Sequence, residues 1–175
     1  MEAAAHYLDD MKVQFRKLKE LAEGAIRQLS DEELFASNGD ESNSVAIVMR
    51  HMAGNLRSRF TDFLTTDGEK PDRKRDTEFE MPEGTTRETV MAGWDLGFAR
   101  LNQALDELTP ADLLRDIQIR GERHSVMQAL NRALAHLAYH TGQIVAFAKQ
   151  HRGAQWRTLS IPRGQSEQFT GPRRF

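Results

Sequence analysis

From residue 7 to residue 29, the apolar side chains Leu8, Met11, Phe15, Leu18, Ala22, Ala25 and Leu29 return every three or four positions, with Asp9, Lys12, Arg16, Lys19, Glu23 and Arg27 between them. That period turns one face of an amphipathic helix toward a core. Ser30-Asp31-Glu32-Glu33 follows as a capping-box pattern, in which the serine hydroxyl and the glutamate satisfy free amides at a helix start. A short helical turn is expected there, then a polar connection over 36–41. The second long helix is predicted from 42–44 to about 64, carrying Val45, Val48, Met52, Leu56, Phe60 and Phe63 inward and His51 at the edge of that stripe.

The period stops between 65 and 84, where Asp67-Gly68-Glu69-Lys70-Pro71-Asp72-Arg73-Lys74-Arg75-Asp76 is dense in charge and turn residues. No core element is expected from it. A loop of that length without regular structure is uncommon in a compact domain, so it reads either as a lid or binding loop or as a solvated crossover. Thr85-Thr86-Arg87-Glu88 offers another capping box, and Val90, Trp94, Phe98, Leu101, Leu105 and Leu108 mark a third long helix. Thr109-Pro110 opens a short turn with proline at a favoured first position. Residues 116–122 alternate briefly and break at Gly121, as a short strand or hairpin would.

Ser125 caps the fourth long helix, which runs to about His151 with Gly153 as its stop. Its apolar residues Val126, Leu130, Ala133, Leu134, Leu137, Ile144, Phe147 and Ala148 cover most of the circumference, which predicts the best-buried helix of the four. The tail, 154–175, holds Trp156, Leu159, Ile161 and Phe169 among prolines and glycines without a helical period. It is expected to lie extended over the helices or a partner subunit, with the last five residues loose. The fold predicted is all-α: a single domain over 1–175, a four-helix bundle with a long charged crossover between its second and third helices and an extended C-terminal tail.

Composition narrows the function classes. The 24 basic and 26 acidic residues leave a net charge of −2, too small to draw the chain to nucleic acid or a membrane surface. Arg73-Lys74-Arg75 is basic but interleaved with acids and lacks aromatic stacking partners, so no nucleic-acid partner is expected. No apolar run approaches membrane-spanning length, and the amino terminus has no basic start before an apolar stretch. Cysteine is absent from the 175 residues, which removes disulfides and thiolate ligands and fits a reducing cytoplasm. Thiol chemistry here would need a thiol from outside.

The candidate chemistry lies in histidine. His136 and His140 sit one helical turn apart, and side chains at that spacing project from one face. Two core histidines hydrogen-bonded to carbonyls or a carboxylate would satisfy the same spacing. His51, near the middle of a helix that can face the pair, points instead to a metal site, because helix bundles assemble such sites from facing helices. Three neutral imidazoles leave a divalent ion its full charge and an open position, the arrangement of catalytic rather than structural centres. Nitrogen ligation suits zinc or nickel, with iron or cobalt also compatible. Asn55, Gln143, Asp62 and Asp95 are candidates to orient the rings from behind. His6, His124 and His151 flank helix ends and read as surface or capping residues. Tyr139 and Thr141 turn away from the face that His136 and His140 share.

Through Asn43-Ser44-Val45-Ala46, Arg50-His51-Met52-Ala53-Gly54-Asn55, Asp67-Gly68-Glu69-Lys70-Pro71-Asp72-Arg73, the run from His136 to Gln143, and Leu159-Ser160-Ile161-Pro162-Arg163-Gly164, the chain resembles the DinB-like superfamily of metal-binding four-helix bundles. It looks closest to a branch of unknown function. The superfamily pattern of one histidine on the second helix and His-x-x-x-His on the fourth maps onto His51, His136 and His140. Some relatives transfer low-molecular-weight bacterial thiols such as bacillithiol and mycothiol, although a shared fold does not carry a shared reaction. The resemblance implies a metal-dependent transferase that activates a small thiol as thiolate, or a metal-dependent hydrolase using Asp62 or Asp95 to relay protons. Arg57, Arg59, Lys70, Arg73 and Arg163 are the candidates to grip anionic groups of a small-molecule substrate. A non-catalytic metal-binding stress-response or dimerisation module is the alternative, and a homodimer is expected.

Overall fold

The computed structural model describes residues 2–37, 39 and 41–168. Its helices are α1 (Glu2–Ile26), α2 (Asp31–Phe35), α3 (Val45–Phe60), α4 (Arg87–Glu107) and α5 (Val126–Arg152), with strands β1 (Asp116–Ile119) and β2 (Glu122–Ser125) before the last helix. The protein is thus mostly helical, and the short hairpin expected from residue 116 is present as a small antiparallel two-strand sheet. Its two-residue turn puts Arg120 at φ 57° and Gly121 at φ 74°, the left-handed pair that matches the twist of adjoining strands.

The capping chemistry sets where the helices begin. The Ser30 and Glu33 pair closes a full capping box on α2, and Ser125 with Gln128 does the same on α5. At α4 the cap is Thr86, which accepts from the Thr89 amide, one residue later than the Thr85–Glu88 pattern predicts. Helix α3 stops at Phe60 rather than near 64: the Thr61 hydroxyl bonds back to the Arg57 carbonyl, and Asp62 adopts φ 48°.

Helix α3 packs along α4, α1 along α5, and α3 also meets α5. One core fills the space between them, and burying side chains such as Phe15, Trp94, Leu101, Leu137 and Ile144 contributes about 1.5–3 kcal/mol each. Gly97 lets α3 and α4 approach closely, since a Cβ there would lie 2.9 Å from the Ala53 Cα. The best-buried helix is α3, with ten of sixteen residues buried, not α5, with eight of twenty-seven. The apolar residues of α5 are real, but Ala135, Ala138 and Tyr139 face outward.

The segment 65–84 is a docked structure rather than an unstructured crossover. Asp67 accepts from the amides of Glu69, Arg120 and Gly121 at 2.7–2.8 Å, and the Gly68 amide donates to the Gln118 carbonyl at 2.8 Å, which ties the segment to the hairpin. A 3-10 turn, Arg75–Phe79, then lies against α3. Such side-chain-to-backbone anchors have no period, which is why the hydrophobic pattern does not reveal them.

Beyond α5 the tail does cross the helices. Gln28, in the turn after α1, donates to the Arg157 carbonyl and accepts from its amide, at 3.0 and 2.8 Å, and Leu159 covers Gly24 of α1. Phe169 and the last five residues, expected to be loose, lie outside the described residues, as do Asn38 and Asp40 of the 36–41 connection. Among the described residues no helix is long and apolar enough to cross a membrane.

Candidate metal centre

The packing of α3 against α5 brings His51, His136 and His140 together. The His136 Nε2 atom lies 3.2 Å from Nε2 of His51 and 3.1 Å from Nε2 of His140, and one nitrogen from each of the three rings falls within 4.8 Å of the others. Nitrogens about 2.0–2.1 Å from one ion stand roughly 2.8–3.4 Å apart for angles between a right angle and a tetrahedral one. The two short spacings match that range. His51 is 4% exposed, while His136 and His140 are half-buried.

Two of the rings are fixed from behind. His51 Nδ1 is 2.9 Å from Glu78 Oε2, and Glu78 in turn accepts two bonds of 2.8 Å from Arg73. Burial pushes the Glu78 carboxyl up, but the hydrogen bonds from His51 and Arg73 outweigh it and hold it below the usual carboxylate range. Phe79 stacks on the His51 ring with centroids 4.7 Å apart. On the other helix, His140 Nδ1 is 2.7 Å from Gln143 Oε1, and the Gln143 amide nitrogen donates to the Tyr139 hydroxyl.

These contacts decide the tautomers. A carboxylate and an amide oxygen are acceptors only, so Nδ1 of His51 and of His140 each carries a proton, and both Nε2 lone pairs point at His136. Burial first, then His140, His51, Arg73 and Arg59, lower the His136 pKa to about 3, which keeps that ring neutral. His140 is also lowered, by burial and by His51, against the Gln143 bond that raises it. A single N–H on His136 Nε2 could serve only one of the two lone pairs, and His136 Nδ1 is buried with no partner. With the proton on Nδ1 instead, three lone pairs converge. A cation at that point satisfies all three, so the donor set fits a divalent metal ion.

A cavity of about 200 Å³ opens beside the cluster, with His51 and His136 in its wall. Phe60, Phe63, Ile117, Ile119, Ala129 and Ala133 line its apolar part, and five arginines, at 59, 73, 75, 120 and 132, line the rest. Among the described residues no Asp or Glu lines it. Among the described residues no fourth His, Cys, Asp or Glu joins the three histidines as a possible ligand.

The other sequence candidates divide. Gln143 stands behind His140 as expected, and Asn55 lines the cavity beside His51. Asp62 and Asp95 do not back the rings: Asp62 forms the turn after α3, and Asp95 pairs with Lys19 of α1 at 3.3 Å. Of the proposed anion-gripping residues, Arg59 lines the cavity. Arg73 lines it too, but its side chain is 4% exposed and committed to Glu69 and Glu78. Arg57 belongs to a separate surface depression with Arg50 and Lys74, Lys70 bonds the Asp67 carbonyl, and Arg163 is exposed on the tail. The pattern along the chain did not single out Glu78, Phe79, Arg75, Arg120 or Arg132. The one available signal was an acid beside the aromatic Phe79 in a loop otherwise made of charged and turn residues.

Three imidazoles converging from two packed helices define a helical protein with a candidate metal site. The chain belongs to the family described as "Protein of unknown function (DUF1572)", whose model matches residues 2–165. No curated protein and no solved structure matches it.

Proposed function

We propose that the protein is a divalent-metal enzyme of the DinB-like four-helix-bundle type, transferring a low-molecular-weight thiol to an electrophile. The observation that carries this reading is the convergence of three imidazole nitrogens at the wall of a cavity, with no further protein ligand among the described residues to close the position. A metal ion bound there would serve as Lewis acid and template, holding an incoming sulfur as thiolate at neutral pH.

The chain's own residues prepare that chemistry. Glu78 and Gln143 hold the protons on the outer nitrogens of His51 and His140, which keeps the inner lone pairs free to ligate. Phe60, Phe63, Ile117 and Ile119 keep part of the cavity wall apolar, which favours a desolvated and therefore more reactive sulfur. Hydrolysis, the sibling reaction, calls for a group that takes a proton from water, and the lining lacks a carboxylate. A thiol must lose a proton too, but it is far more acidic than water and can give that proton to solvent once a metal holds the sulfur, which favours transfer. Zinc and nickel suit the nitrogen set best; we place the protein in the cytoplasm and as a homodimer as part of the same proposal.

Metal analysis of the purified protein, followed by assay with a panel of small thiols and an alkylating electrophile, tests the reading. One ion per chain and thiol-dependent turnover that disappears with chelation are the expected results. Stoichiometric metal without turnover for any thiol would leave the metal-binding module and reject the transferase.

A further inference from the structure

The arginines around the cavity outnumber the acids that could neutralise them. Glu69 alone receives Arg59, Arg73 and Arg120, at 3.0–3.2 Å, and Glu78 is spent on Arg73 and His51. Arg132, one turn before His136 on α5, pairs with no carboxylate among the described residues, although it lines the cavity. Arg59 shows the strain of this crowding: its side chain is 11% exposed, its Nη1 is buried with no partner, and burial together with Arg73, Arg120 and Arg132 lowers its pKa against the pull of Glu69. A buried guanidinium nitrogen with no acceptor is costly, and a positive field with apolar walls is focused rather than screened. The apolar lining, which includes Phe63, Ile117 and Ala133, cannot answer that charge.

We propose that this cavity takes a small organic anion, a carboxylate or phosphate monoester on a short apolar body. Arg59, Arg120 and Arg132 hold its head, and Phe63 and Ile117 cover its body. This deepens the catalytic reading above, on which it rests, by naming the class of the second substrate: an amphiphilic acid held in the same cavity as His51 and His136. Arg59 and Arg132 are specificity-determining residues here, and Arg73, committed to Glu78, is a positioning residue.

The test uses hexanoate and hexyl phosphate as probes, with hexanol and hexylamine as neutral and cationic controls, titrated into the full chain by calorimetry. The titration is done with metal removed and again in His140→Ala, so that the anion site is read apart from the metal. At least one anionic probe is expected to bind in both forms, weakening with salt, and the headgroup that binds better tells carboxylate from phosphate. Arg132→Gln, on an exposed helix face where folding is safe, is expected to weaken it roughly tenfold, and Arg59→Gln at least as much. Arg57→Gln, in the separate basic depression, should leave it unchanged. Equal binding of hexanol, no binding of either anion, or affinity that follows Arg57 rather than Arg132 would overturn the proposal. Loss of metal or of turnover with anion binding intact would overturn only the catalytic reading.

Discussion

Helices α3 and α5 both bring histidine to the same point, and they do so in opposite ways. On α3, His51 is buried, stacked on Phe79 and bonded to a carboxylate that a buried arginine holds in turn. On α5, His136 and His140 stand half-buried on a helix with an outward face, and His136 Nδ1 has no partner at all. The α3 side is held by buried contacts around its one ring, whereas on α5 Gln143 fixes His140 and nothing among the described residues bonds the outer nitrogen of His136. The candidate site is thus firm at two rings and looser at the third.

The sharpest way to break this contrast is to delete one histidine from each helix. His140→Ala is expected to abolish stoichiometric metal binding, read by elemental analysis, with helix content by circular dichroism unchanged. His51→Ala should lose the metal as well, but it also strips Glu78 and Arg73 of a buried partner. It is therefore expected to cost a further 1–3 kcal/mol or about that in denaturant unfolding of the metal-free protein. Equal stabilities for the two metal-free variants would remove the asymmetry.

Glu78→Gln probes the α3 side without touching a ligand. The amide can donate to His51 Nδ1 as well as accept, so the tautomer is no longer fixed, and metal affinity should fall roughly 10–100-fold in competition with a chelator. Gly54→Ala reaches the same carboxylate through space: a Cβ there would lie 2.2 Å from Glu78 Oε1, so Glu78 must move. About a tenfold loss of affinity is expected, within the effect of Glu78→Gln, and the double variant should show little more than Glu78→Gln alone.

The smallest effect is set by acid. The His136 pKa is lowered from its ordinary 6.5 to about 3 and that of His140 is lowered too, so below pH 6.5 the unfolded chain binds protons that the folded, metal-free chain does not. Stability is untouched above that pH and is lost progressively as pH falls toward 3. The thermal midpoint of the metal-free protein should therefore drop by a few degrees between pH 7 and 5, and bound metal should resist that drop until the ligands protonate. A midpoint that rises on acidification would contradict the neutral, lone-pair state of His136.

The hydrophobic period was enough to place four long helices, because a core-facing stripe repeats every three to four residues regardless of what it packs on. The caps at Ser30 and Ser125 and the stop at Gly153 were legible for a related reason: each is a local hydrogen bond within a few residues. The His136–His140 pair belongs to the same class, since one helical turn guarantees a shared face. Burial was less legible. The apolar count of α5 overstated it because that helix is long and the rest of its surface, Ala135, Ala138 and Tyr139 included, faces outward.

What only the tertiary structure decided is everything that joins distant segments. His51 meets His136 across 85 residues and Glu78 across 27, and no spacing rule reaches so far. Glu78 was hidden in a loop without period, and Asp62 and Asp95 were better placed by pattern yet point elsewhere. Arg59, Arg73, Arg120 and Arg132 likewise look alike as letters. Which of them is spent on a carboxylate, and which still faces the cavity, depends on charges brought within a few ångströms by folding, and that distance is written nowhere along the chain.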